Sequence, residues 1–141
     1  MTGAFVTGIE SPPEKATLED LGAGLKDYNE RFTGPSESKE FVVTLRDAKG
    51  RFLGGIYCVF YWQALFVKWV WLDDSVRKTG LGAQLMRDAE REGQRLGATM
   101  AHLDTFSFQA RGFYEKLGYR VFGTLDYPGA GFQRHYMSRL L

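Results

Sequence analysis

The segment Leu72-Asp73-Asp74-Ser75-Val76-Arg77-Lys78-Thr79-Gly80-Leu81-Gly82 joins two different patterns. Before it, residues 64–72 are almost wholly apolar and aromatic, the signature of a buried strand. After it, Leu81, Leu85, Ala89 and Leu96 recur on one side of a helix, with Met86 on the flank and Glu92 intruding. The expected helix begins near Thr79 and ends around Leu96, with Gly97 as its stop. The first turn of such a helix has backbone N–H groups without partners, and the helix dipole adds positive character there. That is an anion site suited to a pyrophosphate. Gly80 and Gly82 would let phosphate oxygens approach the backbone, and Arg77 and Lys78 add full charges. The alternative is that both glycines only make a tight strand-to-helix turn. A dinucleotide fingerprint is excluded, because Gly80-Leu81-Gly82 lacks the third glycine, and no Walker pattern is present.

Outward from this loop the chain alternates strands and helices. Residues 4–9 read as a strand, and Leu18, Leu21, Leu25 and Tyr28 recur at helical spacing up to about Phe32. Residues 40–46, 51–61 and 64–72 read as strands, with turns at Asp47–Gly50 and near Trp62 and Gln63. Residues 99–106 read as a strand, 109–117 as a short helix, and 119–125 and 132–139 as closing strands. On the long helix, Arg87 with Glu90, Asp88 with Arg91 and Glu92 with Arg95 form i,i+3 pairs expected of a solvated face. The mixed order predicts one domain, residues 1–141, of layered α/β type.

Composition narrows the function. The 141 residues are 44% hydrophobic and 25% charged, with a net charge of +1. No basic surplus of the kind that coats nucleic acid or membranes is present. The run Ile56–Leu72 is shorter than a membrane helix and carries Gln63 and Lys68. Cys58 is the only cysteine and reads as a small core residue, so neither a disulfide nor a zinc site is expected. No secretory leader is visible at Met1–Gly8, which makes a cytoplasmic location the default.

About 30 residues beyond the glycine loop stands Ala110-Arg111-Gly112-Phe113-Tyr114-Glu115-Lys116-Leu117-Gly118-Tyr119. The pattern R-x-x-G-x-G from Arg77 to Gly82, followed by A-x-x-F-Y-x-K-L-G-Y, resembles the GCN5-related N-acetyltransferase (GNAT) superfamily. The resemblance covers residues 64–141 well. It implies a mixed, mostly antiparallel sheet of about seven strands with helices on both faces, splayed between the fourth and fifth strands. It implies acetyl-CoA as cosubstrate, no metal, and a small-molecule or protein amine as acceptor. Homodimers are common in the family. Carried over, the backbone of Val70 and Leu72 would pair with the pantetheine arm, and the Val70 N–H would polarise the thioester carbonyl. The amides from Arg77 through Lys78, Thr79, Gly80, Leu81 and Gly82 to Ala83 would meet the pyrophosphate. Ala110 and Ser107 would border the cofactor, Ser107 standing where many members have asparagine. Asp74 stands where many have proline.

Tyr114 matches the family tyrosine that protonates the leaving thiolate. A lysine-like acceptor amine has a pKa near ~10 and must lose a proton first. No Asp or Glu falls within residues 64–72, so Asp104 is the carboxylate candidate for the base, against a plain turn or capping role. His102 shares its strand face, and Lys68 either pairs with Asp104 or reaches solvent. Tyr57, Tyr61, Trp62, Trp69, Trp71, Phe106 and Phe108 either line an acceptor pocket or fill the core. Tyr127-Pro128-Gly129 and Phe132 lie in the last hairpin, which often borders the acceptor in this family. Two functions lead: an acetyl-CoA-dependent N-acetyltransferase, and a non-catalytic acyl-CoA sensor of the same fold; a third, action on aminoacyl-tRNA as in some members of the family, would want a strong basic face, and a net charge of +1 gives it little support.

Overall fold

A computed structural model describes residues 3–141. The chain divides into two compact units, one ending at Ser36 and one spanning Glu37–Leu141. The first contains α1 (Lys15–Thr33), whose last turn closes with the Gly34 N–H donating to the Glu30 carbonyl. Residues 4–9 form no strand, contrary to the sequence expectation, and Phe5, Val6 and Ile9 are almost fully exposed. A strand is held by its pairing partners, and a six-residue run that contains Gly8 has little strand preference of its own. The sheet therefore has six strands where about seven were expected.

The second unit is built on β1 (Lys39–Arg46), β2 (Phe52–Tyr61), β3 (Ala64–Leu72), β4 (Met100–Phe106), β5 (Arg120–Tyr127) and β6 (Phe132–Leu140). The order across the sheet is β1-β2-β3-β4-β6-β5, and only the β3–β4 pair is parallel. Trp62 and Gln63 both adopt positive φ, so β2 and β3 meet through a two-residue turn of the type that matches strand twist. A short 3₁₀ turn (Asp74–Val76) leads to α2 (Leu81–Leu96), and α3 (Arg111–Lys116) follows β4. The start of α2 lies two residues beyond the expected Thr79, because Gly80 takes the left-handed conformation at the N-cap.

The core lies between the sheet and α2. Ile56, Cys58, Leu65, Val67, Ala101, Leu103 and Met137 face it from the strands, and Leu85, Met86 and Ala89 from the helix. Cys58 is fully buried, and burial pushes its thiol up to about 12, so it packs as expected. Gly93 belongs to this seam, since a Cβ there would meet Leu65 Cδ2 at 2.8 Å. One charge pairing differs from expectation. Asp88–Arg91 and Glu92–Arg95 form as read, but Glu90 turns inward. It accepts from the Tyr119 hydroxyl at 2.7 Å and pairs with Arg139 at 3.1 Å. Four residues along the helix from Met86, Glu90 shares the buried stripe, and the partners that satisfy it come from distant segments.

Candidate active site

The site is a split in the sheet. β3 pairs with β4 only at Ala64, Leu65 and Phe66, opposite Met100, Ala101 and His102. Beyond that point β3 stays on β2 while β4 stays on β6. The parting coincides with a bulge. Cys58 pairs with Val67 and Tyr57 with Trp69, so Lys68 is the extra residue. A cleft of about 360 Å³ opens there, lined by Val67, Lys68, Val70, Asp104, Gln109 and Tyr114 among others.

Backbone polarity in the split follows from one hydrogen bond. The Asp73 N–H donates to the Leu53 carbonyl at 2.8 Å, toward β2. Alternation then turns the polar groups of Leu72 and Val70 the other way, toward the split. The Leu72 carbonyl accepts from Arg77 Nε at 3.1 Å, consistent with that direction. These groups are thus oriented as an added strand needs.

At the loop, Arg77 also pairs with Asp74 at 3.2 Å, while Lys78 takes φ +59° and Gly80 φ +86°. The Thr79 hydroxyl donates to the Val76 carbonyl at 2.6 Å and accepts from the Leu81 N–H at 3.4 Å. The two glycines do different work. Nothing lies within 4 Å of a Cβ built on Gly80. A Cβ on Gly82 would meet Leu72 Cδ1 at 3.0 Å and Phe113 at 3.4 Å. Gly82 therefore serves close packing of α2 on the strand end, and Gly80 supplies the turn. Ala83 follows in the first turn of α2.

Tyr114 is buried, and burial first, then the Asp104 charge, pushes its phenol up to about 12. Asp104 does not contact Lys68. Its Oδ1 accepts from Arg134 Nε at 2.9 Å and lies 2.9 Å from a second guanidinium nitrogen. Lys68 instead sets its ammonium 5.5 Å from the ring centres of both Tyr57 and Trp69. His102 stacks on Phe66 at the point of parting, and burial lowers its pKa against a smaller raising effect of Asp104.

Ser107 is committed to β6: its N–H donates to the Gln133 carbonyl at 2.8 Å and its hydroxyl accepts from the Gln133 N–H at 3.0 Å. Ala110 caps α3, its N–H directed at the Thr105 hydroxyl at 3.4 Å. Gln109 and Arg134, neither of them anticipated, join the site. The Gln109 side-chain oxygen accepts from the Phe106 N–H at 2.7 Å and stiffens the cleft floor. Its place immediately before the second motif was the only sequence cue to Gln109, and Arg134 gave none.

The aromatic residues split into separate groups and do not form the core. Phe106, Phe108, Tyr127 and Phe132 pack together beside Asp104 and Arg134, with centroids 5.1–5.7 Å apart in the contacting pairs. Tyr57 and Trp69 pack at 5.1 Å on the β1–β3 face, and Tyr61 and Trp62 lie at the hairpin turn. Trp69 is 67% exposed and Phe108 66%, which rules out a core role for them. Among the described residues no group of three or more His, Cys, Asp or Glu could hold a metal ion. Nor is any described helix long and apolar enough to cross a membrane.

Comparison with known proteins accords with this geometry. Blasticidin-S acetyltransferase of Streptomyces morookaense is 38% identical over 82 residues, 57% of this chain and 60% of that protein. The matched stretch thus spans less than two thirds of that relative. A crystal structure of an acetyltransferase from Bacillus cereus is 28% identical, with a TM-score of 0.85 over 96% of this chain and 98% of that one. An aminoglycoside 6'-N-acetyltransferase complexed with coenzyme A shares the fold, with a TM-score of 0.65 at 19% identity over 89% of this chain and 84% of that one. The profile of the Acetyltransferase (GNAT) family matches residues 8–119. The chain belongs to the acetyltransferase (GNAT) family.

Proposed function

We propose that the protein moves an acetyl group from acetyl-CoA to a primary amine of a small molecule, with Tyr114 as general acid and Asp104 as the carboxylate that handles the acceptor's proton. The observation that carries this reading is the split itself, with Tyr114 and Asp104 in one cleft beside the outward-turned backbone of Val70 and Leu72. When bound, acetyl-CoA supplies an activated acetyl thioester. Val70 and Leu72 hold the pantetheine arm, and the amides of Arg77–Ala83 meet the pyrophosphate, with Lys78 as a mobile charge. Arg77 must leave the Leu72 carbonyl for that group to pair with the arm.

The N–C bond forms as the C–S bond breaks, so one proton leaves the amine and one reaches sulfur. Both Arg134 contacts fall on Asp104 Oδ1, which leaves Oδ2 for the amine or a bridging water. Tyr114 is protonated throughout the neutral range and can donate. A phenol near 12 giving its proton to a thiolate whose acid has a pKa of about 8.5 is uphill by roughly 5 kcal/mol. Transfer must therefore accompany bond cleavage, with Tyr114 reprotonated at once from the amine side. The aromatic group Phe106, Phe108, Tyr127 and Phe132 suits a flat acceptor, and blasticidin S is the first compound to test.

The sensor reading has one observation in its favour: Asp104 is half-committed to Arg134. Titration with acetyl-CoA, then thiol release against blasticidin S, other basic antibiotics and amino-terminal peptides, separates the two. Binding with thiol release upholds the enzyme. Binding with a stable thioester and no release across the panel favours the sensor. No binding overturns both.

A further inference from the structure

We infer that Arg134 is a positioning residue for acetyl transfer: it holds the Asp104 carboxylate in one rotation, so that Oδ2 meets the acceptor's proton in the cleft that Tyr114 lines. The inference rests on the reading above that Asp104 takes that proton. It names the group that gives Asp104 a fixed direction.

The sheet brings the two side chains together. β6 lies between β4 and β5 and is paired along both edges, so its backbone is a firm support. Tyr136 of β6 stands opposite Asp104, and Arg134 stands opposite Phe106. Asp104 and Arg134 are therefore diagonal neighbours on one face, a spacing that a long side chain bridges.

The guanidinium is itself held. Its carbon lies 5.4 Å from the Phe106 ring centre and 5.2 Å from that of Tyr136. Two rings so close to a flat cation restrict its orientation. Its Nη1 also lies 3.5 Å from the Tyr127 hydroxyl. Phe106 and Tyr127 belong to the aromatic group proposed for the acceptor, so the base and that group share one arginine.

Asp104 has no second anchor. The carboxyl torsion of an aspartate is broad, and among the described residues Arg134 is its sole hydrogen-bond donor. Nε and Nη2 both close on Oδ1 at 2.9 Å. The other buried arginine pair is built differently. Arg139 reaches both oxygens of Glu90, at 3.1 and 3.3 Å, and Tyr119 donates to one of them. Arg139 thus satisfies its carboxylate, whereas Arg134 fixes its own and leaves one oxygen free. Asp104 is the member of its pair that lines the cleft, so Arg134 acts through it.

A double-substitution cycle on thiol release from acetyl-CoA, with blasticidin S and the amine panel as acceptors, tests this. Arg134→Gln should lower kcat by ~10–10²-fold and leave KM for acetyl-CoA within about 2-fold. Arg134→Lys should recover part of that loss, because an ammonium reaches Oδ1 at a single point and has no flat face for the rings. In an Asp104→Asn background, Arg134→Gln should cost nothing further, since no carboxylate remains to be placed. Circular dichroism and acetyl-CoA titration confirm that each variant is folded. An equal loss in both backgrounds would make Arg134 merely structural and overturn the inference. A full rate for Arg134→Gln beside a slow Asp104→Asn would overturn it too, with the base assignment left standing. A full rate for Asp104→Asn would remove the base assignment and this inference together. If no amine of the panel is acetylated, the crystal structure of Arg134→Gln decides. A carboxylate of Asp104 that has turned or spread over several rotations upholds the inference, and one that keeps its place overturns it.

Discussion

Tyr114 and Tyr119 stand on either side of the same helix end, both buried, each near a carboxylate that is paired to an arginine. Around Tyr119 the network is closed. Its hydroxyl donates to Glu90, Arg139 holds Glu90, and Arg139 also donates to the Leu117 carbonyl at 2.9 Å. Around Tyr114 the network is open: Asp104 and Arg134 border a cleft, and one carboxylate oxygen carries both contacts. The same three residue types serve stability where every group is satisfied and chemistry where one is left for a ligand.

Substitutions can break that contrast. Tyr114→Phe should lower kcat by ~10²–10⁴ with acetyl-CoA affinity nearly unchanged, while Tyr119→Phe should leave kcat within ~2-fold and lower stability by about 1 kcal/mol. Equal kinetic losses in the two variants would erase the distinction. Next in size, Glu90→Ala should cost about 3 kcal/mol in denaturant unfolding, moderated because Arg139 can turn to water. Thiol release by its folded fraction should be unchanged.

A pH test sharpens the comparison further. The folded-state pKa of Tyr114 is raised from 10.0 to about 12, so burial favours the neutral phenol. Its contribution to stability is intact below about 10 and is lost as pH rises from there toward 12. By pH 11 the wild type should have lost about 1.4 kcal/mol that Tyr114→Phe does not lose. Identical alkaline losses would mean that Tyr114 is solvated. In the same scheme, thiol release rises with pH from 6 to 10 as the amine deprotonates, with no falling limb from Tyr114. The smallest effect belongs to Gly82→Ala. The added methyl presses on Leu72 and Phe113 and should cost about 1 kcal/mol, with a few-fold rise in KM for acetyl-CoA.

Much of this was legible in the sequence, for physical reasons. Strands from residue 39 onward and both helices of the second unit announce themselves by periodicity and glycine stops, and the structure follows them within about two residues. The loop and the Tyr114 segment were readable because their residues are adjacent in the chain. The misreadings share a cause. Glu90 looked solvated beside Arg87 because its partners, Tyr119 and Arg139, lie 29 and 49 residues away. Arg134 escaped notice because its hold on Asp104 spans 30 residues. Residues 4–9 read as a strand from a few apolar residues, and so short a run does not specify a pairing partner. Gly82 carries a packing role that its place in the motif did not announce, since Leu72 and Phe113 come against it only in the folded chain.

The extra residue at Lys68 has a consequence for how this chain can vary. Upstream of it, odd-numbered Leu65 and Val67 face the core; downstream, even-numbered Val70 and Leu72 do. Lys68 thus acts as a phase shifter in the strand. Deleting it would place Trp69 directly after Val67, and plain alternation would still turn Trp69 and Trp71 out and Val70 and Leu72 in. A gap there would keep both faces of the strand and remove the irregularity at which β3 parts from β4. Substitution at Lys68 is a small matter of surface charge; deletion should straighten the strand and narrow the split, so this position should tolerate many residues but not a gap.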